Sequence, residues 1–331
     1  MNVKDTPIRW GIIGCGDVCE VKSGPAFQKV SGSALQAVMR RNGDLAADYA
    51  QRHGVGKWYD DADALIADPE IDAIYIATPP SSHAAYTLKA AAAGKPIYVE
   101  KPMATSFAEC QEMINACQAA DVPLMVAYYR RALPHFEKVR ELLQTQAIGE
   151  VRLINITLFQ SPQPELVAAH KLKNWRVQPE ISGGGYFFDL ASHQLDLLDY
   201  WFGPVIKVGG MVFNQAKLYE AEDIVSASWQ HESGVMGSGL WCFTVEPNAV
   251  RETAEIVGSK GSIRFQFFGS TVVELETEAG KQQFSFTMPQ HIQQPLIETV
   301  MTQLQGGGRC PSDGVSAART NWVMEQVIKN K

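Results

Sequence analysis

Ile8-Arg-Trp-Gly-Ile-Ile-Gly-Cys-Gly-Asp-Val-Cys19 reads as a strand that ends in a tight glycine turn and passes straight into a helix. The apolar run Ile8–Gly14 supplies the strand. Gly14 permits the turn, and Gly16 lets backbone N–H groups approach a diphosphate that also meets the positive end of the helix. Cys15, Asp17 and Val18 lie on the same turn. Cys19 stands where a third small residue, glycine or alanine, packs helix on strand, and cysteine is small enough to do so. A glycine turn that follows a strand and opens a βαβ unit favours dinucleotide binding over a plain structural bend.

Working outward, strand and helix signals alternate to about residue 125, the pattern of a doubly wound parallel sheet. Ala34–Arg40, Ile71–Ala77, Ile97–Val99 and Pro123–Tyr128 are the further strand candidates. Ser82 can cap a helix running to Ala93, with Gly94 at its stop and Pro96 beyond. Ser106-Phe-Ala-Glu109 is a capping box ahead of Phe107, Cys110, Met113, Ile114 and Cys117, spaced along one helical face. Beyond a helix near His135–Thr145 the pattern changes. Val151–Gln160, Val205–Asn214, Ile224–His231, Val235–Thr244, Arg251–Val257, Ser262–Phe268 and Thr271–Glu276 read as strands with short links, and Lys281–Thr287 as an edge strand. This predicts an α/β chain: a dinucleotide-binding Rossmann domain over 1–125, then an α+β domain over 126–331 with a large, mostly antiparallel, open-faced sheet. A final helix over 314–328 is expected to return to the first domain. The open face is expected to expose Trp229, Leu240 and Trp241, and to be covered by a second copy in a homodimer or homotetramer.

Three segments beyond the glycine turn carry chemistry. The second strand ends in Arg40-Arg41, 24 residues after Gly16, where an NAD site carries an acid for the ribose 2′-hydroxyl. Arginines there suit a 2′-phosphate, so NADP is favoured over NAD. Thr78-Pro-Pro-Ser-Ser-His83 and Glu100-Lys101-Pro102 follow the third and fourth strands, at the carboxyl ends where ligands bind in such sheets. The third segment is Gly183-Gly-Gly-Tyr-Phe-Phe-Asp-Leu-Ala-Ser-His-Gln-Leu-Asp-Leu-Leu-Asp-Tyr200. Its glycines let a ligand or another backbone come close. If the following residues are helical, Asp189 and His193 stand at i and i+4 on one face, with Asp196 continuing it.

Composition narrows the class. The 331 residues are 46% hydrophobic and 20% charged, and 29 Lys and Arg against 36 Asp and Glu leave a formal charge of −7. No basic run exceeds two residues, which argues against a nucleic-acid or anionic-membrane surface. No secretory leader or apolar stretch of ~20 residues stands out, and the six cysteines form no CxxC or Cys/His cluster. A cytoplasmic, metal-free protein acting on a small molecule is the expectation.

Together these segments resemble the Gfo/Idh/MocA family of sugar and cyclitol oxidoreductases. Trp10–Asp17, Ala77–His83, Gly94–Pro102, Trp175-Arg176, Gly183–His193 and Val257-Gly-Ser-Lys-Gly-Ser262 carry the likeness along nearly the whole chain. It implies hydride transfer at a sugar-like carbinol or carbonyl, with Lys101, Asp189 and His193 as the catalytic cluster. It also implies that Glu100, Thr78, Pro79, His83, Trp175 and Arg176 line the cofactor or inner pocket. Tyr129 stands where an asparagine or glutamine is common in the family, and a phenol there narrows the substrate pocket.

Removing hydride from an alcohol leaves a proton that must also go, and a positioned imidazole or amine accepts it. His193 is the first choice for that acid/base. Lys101 would then stabilise the alkoxide, and Asp189 would orient His193 or bind a substrate hydroxyl. The opposite assignment, with Lys101 as the acid/base, stays open. Two other readings remain: a non-catalytic sensor that kept the cofactor fold, and an enzyme using the nicotinamide only transiently.

Overall fold

The computed structural model describes residues 6–163 and 174–329. The chain clusters into two compact units, residues 1–132 with 289–318 and residues 133–288 with 319–331.

The first unit is built on six parallel strands: β1 (Ile8–Ile13), β2 (Ser33–Met39), β3 (Lys57–Tyr59), β4 (Ala73–Ile76), β5 (Ile97–Val99) and β6 (Leu124–Val126). Their order, β3-β2-β1-β4-β5-β6, reverses direction between β1 and β4. That switch point opens a crevice at the strands' carboxyl ends, where doubly wound sheets bind ligands. Helices on both faces bury the strands on both sides, so β4 reads as an uninterrupted apolar run with every residue buried. The short edge strand β3 escaped the sequence pattern, because three residues with Trp58 facing solvent make no periodic signal.

Helix ends follow their chemistry. Ser106 Oγ accepts from the Glu109 N–H at 3.2 Å at the start of the helix Phe107–Ala119. The expected reciprocal bond is replaced: the Glu109 carboxylate takes the N–H and hydroxyl of Thr105 instead. Residues 310–316 extend the sheet edge beyond β6. Val126 N–H donates to Ser312 O at 3.0 Å, the Ser312 hydroxyl donates to Val126 O at 2.7 Å, and Met125 bridges Asp313. Arg131, buried, donates to Pro311 O and to Ser316 Oγ. The turn Tyr129–Ala132 is therefore part of this unit.

The second unit holds an eight-stranded sheet of β7 (Val151–Phe159), β8 (Val205–Phe213), β9 (Ile224–His231), β10 (Met236–Cys242), β11 (Arg251–Gly258), β12 (Gly261–Phe265), β13 (Val272–Thr277) and β14 (Gly280–Ser285). The order is β14-β13-β12-β11-β7-β10-β9-β8, with the expected edge strand at one end. All neighbours are antiparallel except β7 and β10, which run parallel through the centre. The inner face packs on the helices Pro134–Gln144 and Ser192–Phe202. Phe136 meets Phe265 and Phe267, Trp201 meets Phe265, and Phe202 meets His231.

Two tryptophans correct the expectation for the outer face. Trp229 and Trp241 are buried on the inner face, and only Leu240 of the three points outward. A strand alternates sides at every residue, so Leu240 and Trp241 cannot share a face. Glycines on β10 make room for both indoles: a Cβ on Gly237 would lie 2.2 Å from Trp229, and one on Gly239 would lie 2.2 Å from Trp241. Trp241 Nε1 then donates to Gln194 Oε1 at 2.6 Å, and Trp229 Nε1 donates to His231 Nε2 at 3.2 Å. The outer face nevertheless carries apolar rows. Phe213, Ile224, Cys242 and Phe159 line up across four strands, and Met211 and Leu240 stand in the next row. Phe213 and Met211 are more than 60% exposed.

Candidate functional site

The glycine turn fits a diphosphate. Gly14 adopts φ 92°, and a Cβ there would strike Thr78 Cγ2 at 2.7 Å, so this turn packs against the loop after β4 and requires glycine. Gly16 differs: a Cβ there would meet nothing closer than Gly14 O at 3.9 Å. That open side faces the start of the helix Asp17–Val21, whose Ncap Gly16 has no side chain to cap it. The first-turn amides of Asp17 and Val18 therefore have no intrahelical acceptor. Cys15 contributes differently from the expectation. Its N–H is donated to Met39 O at 3.1 Å and its side chain is fully buried, with burial pushing the thiol up to about 11. It is a packing residue behind the turn.

The helix is pinned from its far side. Glu20 accepts two bonds from Arg52, each 2.8 Å, and one from His53 at 2.8 Å. The Arg52 guanidinium draws the Glu20 carboxyl down to about 2, against the opposing effect of its partial burial. Tyr49, whose hydroxyl donates to Cys19 O at 2.8 Å, closes the same corner. At the next strand end, Arg40 donates its backbone N–H to Tyr59 O at 3.1 Å while its side chain is half-buried; Arg41 is exposed. Asn42 caps the helix Gly43–His53 by accepting from Leu45 N–H.

Thr78 and Pro79 follow β4 and are half-buried at this carboxyl edge. His83 does not join them at the surface. It is fully buried, with Nε2 2.7 Å from Thr78 O and Nδ1 3.1 and 3.2 Å from the carbonyls of Pro102 and Met103. Burial lowers its pKa below the ordinary imidazole value. A neutral ring carries one proton, so it donates on one side at a time, from Nε2 to Thr78 O or from Nδ1 to the Pro102 and Met103 carbonyls. His83 is therefore packed between the loops after β4 and β5, with both ring nitrogens turned to backbone carbonyls.

Glu100 is likewise redirected inward. Its Oε1 accepts from the Tyr75 hydroxyl at 2.5 Å and from Gln293 Nε2 at 2.6 Å, and its Oε2 accepts from the Lys101 N–H at 3.2 Å. Hydrogen bonds to a buried charge are each worth about 1.5–3 kcal/mol, so this carboxylate is a strong local anchor. Burial and the adjacent Glu100 charge hold the Tyr75 hydroxyl well above its usual pKa, so it stays a donor. Lys101, next along, is half-buried. Tyr129, just past β6, is buried with its hydroxyl accepting from Arg130 Nη1 at 2.8 Å and its ring under the same guanidinium.

In the second unit, Gly183–Tyr200 folds differently from a continuous α-helix. Gly183 (φ 88°) ends the short helix Pro179–Ser182 in a left-handed conformation. Gly184 lies against the Phe188 ring and Gly185 (φ 66°) against Ala221 Cβ, where an added Cβ would sit 2.4 Å from either. These glycines admit protein neighbours. A π-helical turn, Phe187–Ala191, then leads into the α-helix Ser192–Phe202. Its wider i→i+5 turn replaces the regular i, i+4 spacing between Asp189 and His193, and such turns recur at functional sites. Phe187 and Leu197 are buried on the flanks of this segment.

The Asp189 carboxylate pairs with Arg176, Nε to Oδ2 at 3.3 Å. Arg176 also lies over the Trp175 ring, 4.5 Å from its centroid. Asn174 fixes this short turn: its Oδ1 accepts from Arg176 N–H, and its Nδ2 donates to the Tyr186 hydroxyl at 3.0 Å. His193 is buried, with its ring edge-on to Phe268 at 6.0 Å. Trp175, Arg176, Asp189 and His193 thus belong to one unit, while Lys101, Tyr129 and the glycine turn belong to the other. Tyr75, Gln293 and Asn174 were not anticipated. Each is an ordinary polar residue whose role arises from distant partners. Among the described residues no group of three or more His, Cys, Asp or Glu could hold a metal, and no helix is long and apolar enough to cross a membrane.

Comparison with known proteins covers both units. Residues 8–128 match the oxidoreductase family with an NAD-binding Rossmann fold, and residues 136–264 match the GFO/IDH/MocA C-terminal domain. Oxidoreductase P35 of Formosa agariphila is 42% identical over 325 residues, spanning 97% of this chain and 98% of its own. A myo-inositol 2-dehydrogenase of Thermotoga maritima is 27% identical, over 82% of this chain and 79% of its own. Levoglucosan dehydrogenase, solved in complex with NADH and levoglucosan, shares the fold at a TM-score of 0.87 and 21% identity, covering 98% of this chain and 97% of that one. With both domains matched in order and 42% identity held along almost its whole length, the chain belongs to the GFO/IDH/MocA family of NAD-binding oxidoreductases.

Proposed function

We propose that this protein transfers a hydride between a nicotinamide cofactor and a carbon bearing a hydroxyl or carbonyl on a sugar, cyclitol or related polyol. The observation that carries this reading is the loop after β5, where Lys101 follows an internally anchored Glu100 at the carboxyl edge of the parallel sheet. Relatives named as an inositol dehydrogenase and a levoglucosan dehydrogenase support the substrate class. The nicotinamide, when bound, supplies or accepts the hydride. The open side of Gly16 and the first-turn amides of Asp17 and Val18 would hold its diphosphate, with Thr78 and Pro79 beside it.

The proton is left to the chain. His193 would take it from the substrate hydroxyl as general base or return it as acid. Lys101 would place positive charge beside the oxygen as negative charge develops there. Asp189, held by Arg176, would accept a bond from a neighbouring substrate hydroxyl or orient His193. Tyr129 would limit the pocket's size.

If these roles hold, His193→Ala lowers kcat by about 10²–10⁴ and Lys101→Ala by a comparable factor, with cofactor affinity nearly intact. The double variant falls short of the product of the two losses, because both groups serve one proton transfer. Steady-state kinetics beside cofactor titration checks this. A His193→Ala protein with a lower melting temperature but full activity per folded molecule would make His193 a packing residue.

For the cofactor, Arg40 and Arg41 after β2 favour a 2′-phosphate, so NADPH is expected to bind more tightly than NADH. Arg40→Asp should reverse that order in a fluorescence titration. Tighter NADH binding by the unmodified chain would show that these arginines do not read the phosphate.

The apolar rows on the outer face of the eight-stranded sheet support assembly through that face by a second copy. Light scattering at micromolar concentration should give the mass of a dimer or tetramer, reduced by Leu240→Arg. A monomer mass for the unmodified chain would contradict it.

A further inference from the structure

Gln293 stands 193 residues beyond Glu100 in the chain, yet its fully buried side chain ends on that carboxylate. Its amide nitrogen donates to Glu100 Oε1 at 2.6 Å, and its amide oxygen accepts from the Tyr98 hydroxyl at 3.1 Å. A carboxylate can only accept and a tyrosine hydroxyl can donate, so the amide's orientation is set by its two partners. The Gln293 backbone N–H donates to Lys22 O at 3.1 Å. Two residues earlier, His291 donates from Nδ1 to Val21 O at 2.6 Å and accepts at Nε2 from Lys29. Val21 and Lys22 end the helix that begins at the glycine turn.

A second route joins the same two places. The Tyr75 hydroxyl donates to Glu100 Oε1 and accepts from the Ser23 hydroxyl at 3.1 Å, and the Ser23 backbone N–H donates to Val18 O at 3.2 Å. Glu100 Oε2 in turn accepts from the Lys101 N–H. The backbone of Lys101 and the helix after the glycine turn therefore share one buried polar network. In such a network each member's geometry depends on the others.

We propose that Gln293 is a positioning residue of this site: through Glu100 it fixes the Lys101 backbone, and through Lys22 it ties that backbone to the diphosphate-binding turn. The inference rests on the reading of Lys101 as a site residue. It gives the segment 290–294 a part in the chemistry as well as in packing.

The test needs no substrate. Trace acetylation by acetic anhydride, read by mass spectrometry, reports the reactivity of Lys101 in the folded chain, with exposed Lys260, in the turn between β11 and β12, as internal reference. Gln293→Leu should change the Lys101 rate relative to Lys260 by about threefold or more, and weaken NADPH binding by a similar factor. Tyr75→Phe, which removes the other donor to the same oxygen, should change the Lys101 rate in the same direction and serves if Gln293→Leu does not fold. An unchanged Lys101 rate in the folded variant, whatever its melting temperature, overturns the proposal. Labelling is independent of turnover, so this result is separable from the activity of Lys101→Ala, on which the proposed reaction depends.

Discussion

A carboxylate removed from water has to be met by donors, and at Glu100 those donors organise the carboxyl edge of the first unit. Tyr75 comes from β4, Gln293 from the segment that returns after the second unit's strands, and the third donor is the N–H of Lys101 itself. Each donor makes a hydrogen bond to a charged group, worth about 1.5–3 kcal/mol. The interaction therefore makes the position of Lys101 a consequence of core packing. His83 lies on the other side of the same loop, its buried ring packed between the Thr78 carbonyl and those of Pro102 and Met103. Between them, two buried polar groups set the spacing of the loops after β4 and β5.

The second unit solves a different problem. A broad sheet needs a thick inner layer, and β10 gives up side chains at Gly237 and Gly239 so that Trp229 and Trp241 can fill it. Overpacking such positions costs about 1–3 kcal/mol, which makes these glycines as specific as the tryptophans they admit. The helix Ser192–Phe202 lies on that layer through Gln194. His193 and the Asp189–Arg176 pair are thereby carried by a packed scaffold rather than a free loop. The proton-transfer role proposed for His193 would require such rigid support, since small misplacements are expensive in rate.

Local chemistry was legible in the sequence; partnership across the chain was not. The glycine turn, the strands from β1 to β14 apart from β3, and the edge position of β14 follow from periodicity and from glycine and proline placement. Gly183–Gly185 announced close approach, but only the structure shows that Phe188 and Ala221 are what approaches. The π turn at Phe187–Ala191 left no mark, because apolar spacing tolerates one added residue per turn. Nothing in His291-Ile-Gln293 distinguishes a buried strut from an ordinary polar loop before a helix. Cys15 lies on the glycine turn, and the family resemblance puts His83 and Glu100 at the cofactor or inner pocket; that all three side chains are buried is visible only in the structure.

The central claim, hydride transfer at a polyol carbon, is tested most directly by isotope. NADPH or NADH carrying deuterium at C4 of the nicotinamide would be incubated with the protein and a panel of keto-sugars and inososes, and the products analysed by mass spectrometry. The account predicts one deuterium on the new carbinol carbon of at least one product, with matching loss of reduced nicotinamide. Turnover of such a compound with no deuterium in the product and no net change in the cofactor would contradict it.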